Sequence, residues 1–224
     1  MKILSWDVGI YNLSYCILEK NNDNFNDIKI IGWDIINLVD NESMKKNINL
    51  LFENIPKKLY EIPELLDVDI VIIENQPSLK NPKMKSIQMI LYSYFIILGK
   101  IIGNGENTTS YIDKIDFCSA SNKLKVYDGP EINLISKKKN IENKEFENKD
   151  IENKDIENKD IKNNELKKKT IKYSDKKKLA ILHAQYYLQY QDSKYLEFFN
   201  SHKKKDDLSD SFLQGLYWYK FVKK

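Results

Sequence analysis

The chain contains no arginine; all 36 of its basic residues are lysine. That removes every bidentate guanidinium clamp for phosphate or carboxylate and leaves only ammonium point charges. Cysteine is scarce too. Cys16 and Cys118 sit in apolar strand-like runs rather than at metal or disulfide spacing, so they read as reduced core thiols of an intracellular protein. No uninterrupted apolar run reaches the length of about 18 residues that a membrane span needs. Strand-like sequence begins at Lys2-Ile3-Leu4, leaving no room for a signal or transit peptide. These absences point to a soluble intracellular protein with no membrane partner.

What is present suits one globular domain. The 224 residues suffice for a buried core but not for two large domains. Hydrophobic residues make up 42% and charged residues 31%. The surplus of Ile, Asn, Lys and Tyr matches an AT-rich coding genome, so neither the lysine abundance nor the net charge of +3 argues for a nucleic-acid partner.

Three strands are expected first, over Ile3 to Asp7, Leu13 to Leu18 and Ile28 to Ile36, with short polar turns that favour an antiparallel meander. Ser43 to Ile62 has helical spacing at Ile48, Leu51, Phe52 and Ile55, with Pro56 starting a second helical piece. Val68 to Ile73 is nearly unbroken apolar sequence, as in a central strand covered on both faces. Asn81 as N-cap and Pro82 at the first helical position open a long helix to Ile102. Ile115 to Ser119 predicts a fifth strand. Helices are expected over Lys172 to Gln191 and Asp206 to Val222. The fold class is α/β, a mixed central sheet of about five strands, the first three antiparallel, flanked by helices. One domain covers 1–224, interrupted at 137–169 by a low-complexity insertion. There, five-residue repeats begin at Ile141, Phe146, Ile151 and Ile156, a period that fits neither helix nor strand.

Carboxylates carry the chemistry. Asp7 ends the first strand ahead of Gly9, and Glu74 follows the most apolar strand. Asp207 and Asp210 share a face of the final helix at i, i+3 spacing. A buried carboxylate by itself is costly and protonates. Several together become favourable when cations sit among them, and hard oxygen ligands suit Mg²⁺, with Mn²⁺ as a substitute. Two such ions about 3.5–4 Å apart would stabilise both oxygens exchanged in phosphodiester hydrolysis. Asp7 would bridge both, Glu74 and Asp207 would each favour one, and Asp210 would complete the second site. Asp206, at i, i+4 from Asp210, is an alternative to Asp207.

The motifs Trp6-Asp7-Val8-Gly9-Ile10, Asn12-Leu13-Ser14-Tyr15, Ile73-Glu74-Asn75-Gln76-Pro77-Ser78 and Asn81-Pro82-Lys83-Met84-Lys85 resemble the poxvirus and fungal mitochondrial Holliday-junction resolvases, distant relatives of bacterial RuvC. The likeness continues in Asn122-Lys123-Leu124-Lys125-Val126-Tyr127, Lys176-Lys177-Lys178-Leu179-Ala180 and Lys204-Lys205-Asp206-Asp207-Leu208-Ser209-Asp210-Ser211. It implies a ribonuclease H-like fold and a magnesium-dependent endonuclease that cuts four-way and other branched DNA during recombination. It also implies a homodimer and, if the chain is viral, a place in the host cytoplasm or at the viral replication site. The four metal-binding carboxylates fall on Asp7, Glu74, Asp207 and Asp210. A catalytic lysine after the fifth strand falls best on Lys125, with Lys123 its neighbour, and an ammonium there would stabilise charge on the attacked phosphate.

Lys80, Lys83 and Lys85 surround the start of the long helix, where free N–H groups already favour an anion; with Lys123 they are the candidate DNA contacts. Lys203-Lys204-Lys205 precede the acidic helix and could meet phosphate as well. The long helix is apolar nearly all round, more than one sheet face requires, which fits a dimer. His183 reads as a core residue, and His202 as a weak candidate for a general base. Two rivals are a hybrid-cleaving nuclease on the same fold and a nucleotide-binding protein of the actin, Hsp70 and sugar-kinase type. The latter shares Asp7-Val8-Gly9, but with seven glycines and no second hairpin the chain lacks its other parts.

Overall fold

The computed structural model describes residues 1–22, 25–103, 111–132 and 172–222. The insertion at 137–169 lies outside the described residues. Three apolar runs with polar turns give an antiparallel meander of β1 (Lys2–Val8), β2 (Asn12–Lys20) and β3 (Ile28–Asn37). β4 (Ile70–Glu74) adds to β1 in parallel and β5 (Lys114–Cys118) adds to β4 in parallel. The order β3-β2-β1-β4-β5 makes β1 the central strand of a mixed sheet. Gly9 closes the turn after β1. Its N–H donates to the Asn12 carbonyl at 3.1 Å, and a Cβ there would lie 2.5 Å from that oxygen.

The two-residue alternation of strands sorts side chains onto two faces. Leu4, Trp6 and Val8 of β1, with Val71 and Ile73 of β4, pack under α2 (Ile48–Tyr60) and α3 (Pro82–Phe95). Ile3 of β1, with Ile70 and Ile72 of β4, packs under α4 (Tyr173–Leu188), α5 (Ser193–Ser201) and α6 (Lys205–Tyr217). Asp7 and Glu74 continue that second alternation, so both face α6. The β1–β4 pairing runs to Trp6 opposite Ile73, which brings Asp7 and Glu74 side by side at the next position.

The place of α6 on the sheet is fixed by buried polar contacts. Gln214 Nε2 donates to Ser5 Oγ and the Trp6 carbonyl, both at 3.1 Å. The Ser14 and Ser211 hydroxyls meet at 2.9 Å, and Trp33 Nε1 donates to the Leu208 carbonyl at 3.2 Å. Gly215 permits the close crossing, since a Cβ there would stand 2.7 Å from Leu18 Cδ1 and 3.3 Å from Ser5 Cβ.

Three expectations are revised. The break in the first helical region falls at Asn47, not Pro56. Asn47 ends the short α1 (Glu42–Lys46) and caps α2 by accepting from the N–H groups of Asn49 and Leu50, while Pro56 lies within α2. The helical stretch Pro82–Ile102, α3 with its π-helical continuation Ile96–Ile102, is long and apolar enough to cross a membrane by length and composition. Its Ile87, Leu91 and Phe95 are fully buried against the sheet. α5 is a helix that periodicity did not announce; its Phe199 stacks on Trp33 with ring centroids 5.6 Å apart.

Candidate active site

The carboxylates of Asp7, Glu74 and Asp210 come from two neighbouring parallel strands and the helix that crosses them. Glu74 is 7% exposed. Between the acids sits the ammonium of Lys123, which forms an ion pair with Asp210 and lies 3.6 Å from Glu74 Oε1. Burial pushes the Asp7 carboxyl well above the usual range, reinforced by the charges of Glu74 and Asp210 and opposed by Lys123. Burial raises Asp210 to about 6, with Lys123 holding it lower than it would otherwise stand. Burial alone would lower the Lys123 pKa, but Asp210, Asp7 and Glu74 outweigh it and hold it above the ordinary lysine value.

Asp207 stands one helical turn before Asp210 and is partly accessible. Burial and the adjacent Asp206 raise its pKa, while Lys204, Lys177 and Lys123 lower it. Asp206 is turned away into an ion pair with Lys177 at 2.5 Å. Burial would raise its pKa, but Lys177 outweighs that and lowers it. Asp206 is thus engaged elsewhere, and Asp207 is left to flank the cluster.

Among the described residues no three acidic, histidine or cysteine side chains already stand close enough to hold a metal ion. The donor set nevertheless suits a hard divalent cation. Its members are all carboxylates, and three of them already gather around one positive charge, the Lys123 ammonium.

Lys125, the position that the resemblance favours for the catalytic lysine, is exposed, and its Nζ donates to Asn122 Oδ1 at 2.8 Å. Lys123 enters the cluster instead. Both lie in a 3-10 turn, Lys123–Val126. Three residues per turn put Lys123 on the same side as the fully buried Val126 and leave Lys125 outside. That spacing was available in the sequence, had the turn been recognised. Lys80 and Lys83 are exposed near the start of α3; Asn81 caps that helix by accepting from the Met84 N–H at 3.3 Å. Lys85 is partly buried, with Nζ 3.2 Å from Gln88 Oε1 and 3.4 Å from Asn75 Oδ1.

The histidines stand apart from this chemistry. His183 is buried and stacked on Tyr127 at 4.0 Å, and burial lowers its pKa. His202 Nδ1 donates to the Phe198 carbonyl at 2.9 Å at the end of α5.

No protein-family model matches the chain. An uncharacterised protein of Acanthamoeba polyphaga mimivirus is 33% identical over 180 residues, which are 75% of this chain. The chain spans 34% of that relative's length. Fowlpox virus resolvase, solved in complex with substrate Holliday junction DNA, matches with a TM-score of 0.55 at 20% identity, covering 100% of both chains. The yeast mitochondrial Holliday junction resolvase matches with a TM-score of 0.56 at 15% identity, covering 97% of this chain and 78% of its own. The fold is ribonuclease H-like.

This ribonuclease H-like sheet brings acids from distant parts of the sequence together because its central strand and parallel neighbour end at the same level. Gln76, part of the Glu74 motif, and Gln88, which the sequence reading did not single out, also belong to the site. Gln76 Nε2 donates to Glu74 Oε2 at 2.8 Å, and the fully buried Gln88 accepts from the Gln76 N–H at 2.8 Å. A glutamine among apolar residues on a core-facing helix was the available signal.

Proposed function

We propose that this protein is a Holliday-junction resolvase, a divalent-metal-dependent endonuclease that hydrolyses phosphodiester bonds at four-way and other branched DNA junctions. The observation that carries this reading is the convergence of Asp7, Glu74 and Asp210 on one buried cation at the end of the central strands. Its support is a fold shared over full length with a solved resolvase.

Asp7, Glu74 and Asp210 would hold the metal, with Asp207 flanking them as a fourth ligand. When bound, Mg²⁺, as two ions or with Mn²⁺ in its place, supplies Lewis-acid stabilisation of the phosphate and an activated water. The residues do the rest. Burial holds the Asp7 and Asp210 carboxyls above the ordinary range, so positive charge facing them favours their ionised form and the site is suited to cations. The Lys123 ammonium lies where it can also face a phosphate oxygen and offset charge as it develops there. Lys80, Lys83 and Lys85 would take backbone phosphates beside Glu74, and the exposed Lys125 would add an exterior contact. All are point charges, so binding should weaken steeply with salt and show little base preference.

A homodimer would present two such sites to one junction. Ile97, Ile101 and Ile102 are 49%, 67% and 54% exposed. They continue from a groove of about 1180 Å³ between α2 and α3, lined by Pro56, Tyr60, Met89 and Ile90. Exposed apolar surface on that scale fits a partner subunit.

The test is to incubate purified protein with a labelled four-way junction, with and without Mg²⁺, beside flap, duplex and RNA–DNA hybrid controls. Paired nicks near the branch that require Mg²⁺ are expected. Asp7→Asn should abolish them while leaving junction binding intact in a gel-shift assay. Preferred cutting of the hybrid, or nicking retained by Asp7→Asn, would refute this reading.

A further inference from the structure

Glu74 is the acid whose orientation the protein controls most closely, and the control comes from α3. Its Oε2 accepts from Gln76 Nε2 at 2.8 Å, while its Oε1 faces Lys123. Gln76 is itself buried, and its N–H donates to Gln88 Oε1 at 2.8 Å. The same Gln88 oxygen takes the Lys85 ammonium at 3.2 Å. Two donors on one atom fix that atom as the carbonyl oxygen of the amide. Asn75 between them is held as well, because its N–H donates to the Cys118 carbonyl at 2.8 Å and prolongs the β4–β5 ladder.

A buried amide is costly unless it is bonded. Most positions on the core face of α3 are apolar: Ile87, Leu91 and Phe95 are fully buried. Packing alone would be served better by leucine at 88. Moreover, Gln88 Nε2 has no partner among the described residues, so only the oxygen of this side chain is used.

We propose that Gln88 is a positioning residue: through Gln76 it locks one oxygen of Glu74 and leaves the other facing the cation position. The inference deepens the resolvase reading and rests on Glu74 being a metal ligand. Outer partners of this kind orient a ligand, and their loss commonly weakens metal binding about 10–100-fold. The use of the oxygen alone makes an unusual demand. Gln88→Glu keeps an acceptor for the Gln76 N–H, with Lys85 beside it as counter-charge, and loses only the unpartnered N–H group. Gln88→Leu keeps the bulk and loses the acceptor.

The experiment titrates Mn²⁺ into full-length wild type, Gln88→Leu, Gln88→Glu and Gln76→Leu by calorimetry without DNA. Circular dichroism checks the fold of each. The expected result is about tenfold weaker Mn²⁺ binding for Gln88→Leu and Gln76→Leu, with Gln88→Glu within about threefold of wild type. Cleavage by the two leucine variants should need correspondingly more Mn²⁺. If Gln88→Leu fails to fold, Gln76→Leu carries the test. Wild-type Mn²⁺ affinity in a folded leucine variant, or equal loss in Gln88→Glu and Gln88→Leu, overturns the proposal, as does a wild type that binds no Mn²⁺. Because the readout is metal binding without DNA, a protein that passes this test yet leaves junctions uncut refutes the resolvase reading alone.

Discussion

Replacing Lys123 with methionine removes the internal cation of the acidic cluster while keeping most of the side chain's bulk. The Lys123 side chain is 16% exposed, and those of Glu74 and Asp210 are 9% and 18% exposed. At 3.6 Å and an effective dielectric of about 20, the attraction to Glu74 alone is about 5 kcal/mol before desolvation is subtracted. Removing one partner of a buried ion pair costs roughly 3–5 kcal/mol, because the other charge is left uncompensated. Asp7, already held toward its neutral form, can take a proton and relieve part of this, so about 3 kcal/mol is expected. For a domain of this size that lowers Tm by about 6–12 °C. The Lys123 pKa is raised in the fold, so its contribution is complete below the ordinary lysine value near 10 and disappears only above it. An assay at pH 7 therefore sits on the plateau. The deciding measurement is thermal unfolding in EDTA and in Mg²⁺. A cation at 100 times its Kd adds about 2.7 kcal/mol, so Mg²⁺ should restore most of the loss. Mg²⁺ should also stabilise the variant more than wild type, where it must displace the ammonium. An unchanged Tm in EDTA, or an equal deficit with and without Mg²⁺, would refute the reasoning.

Three further outcomes follow from the same geometry. The Asp210 carboxyl is raised to about 6, so the fold binds its proton more tightly than the unfolded chain does. In EDTA, lowering the pH from 7 toward 4 should therefore add stability from this group, on the order of 3 kcal/mol, and Asp210→Asn should erase that part of the slope in urea melts at several pH values. Asp206→Asn loses a partly exposed pair with Lys177, so it should cost less than about 1 kcal/mol and leave junction nicking within a few-fold of wild type, unlike Asp210→Asn, which should abolish it. Gly215→Val should destabilise by about 1–3 kcal/mol, because its Cβ would press on Leu18 and Ser5; chemical denaturation reads the loss, and slower nicking should accompany it as α6 is displaced.

Much of this was legible in the residues. The unbroken run Val71-Ile72-Ile73 before Glu74 announces a strand covered on both faces, and two-residue alternation alone sends Asp7 and Glu74 to one side of the sheet. Asn81-Pro82 marks the start of α3 at the residue where the structure begins it. Elsewhere local signals misled or fell silent. Pro56 looks like a boundary, yet the capping side chain of Asn47 decides where the helix breaks. Nine residues of α5 are too few for a period to stand out, and tertiary stacking on Trp33 settles them. The choice between Lys123 and Lys125 turns on the sense of one tight turn, which spacing to the fifth strand does not set. Gln88 was hidden because its role is a hydrogen bond to a loop twelve residues earlier.

The crossing of α6 over β1 and β2 has a consequence for biosynthesis. Chains emerge from the ribosome N-terminus first, so Asp7 and Glu74 are made long before Asp210. The strands can pair early, but their acidic ends gain the helix-borne partner only after Lys205–Tyr217 has left the exit tunnel and docked. A growing chain, or one cut short before that helix, therefore carries an unfinished centre in which Asp7 and Glu74 still lack Asp210.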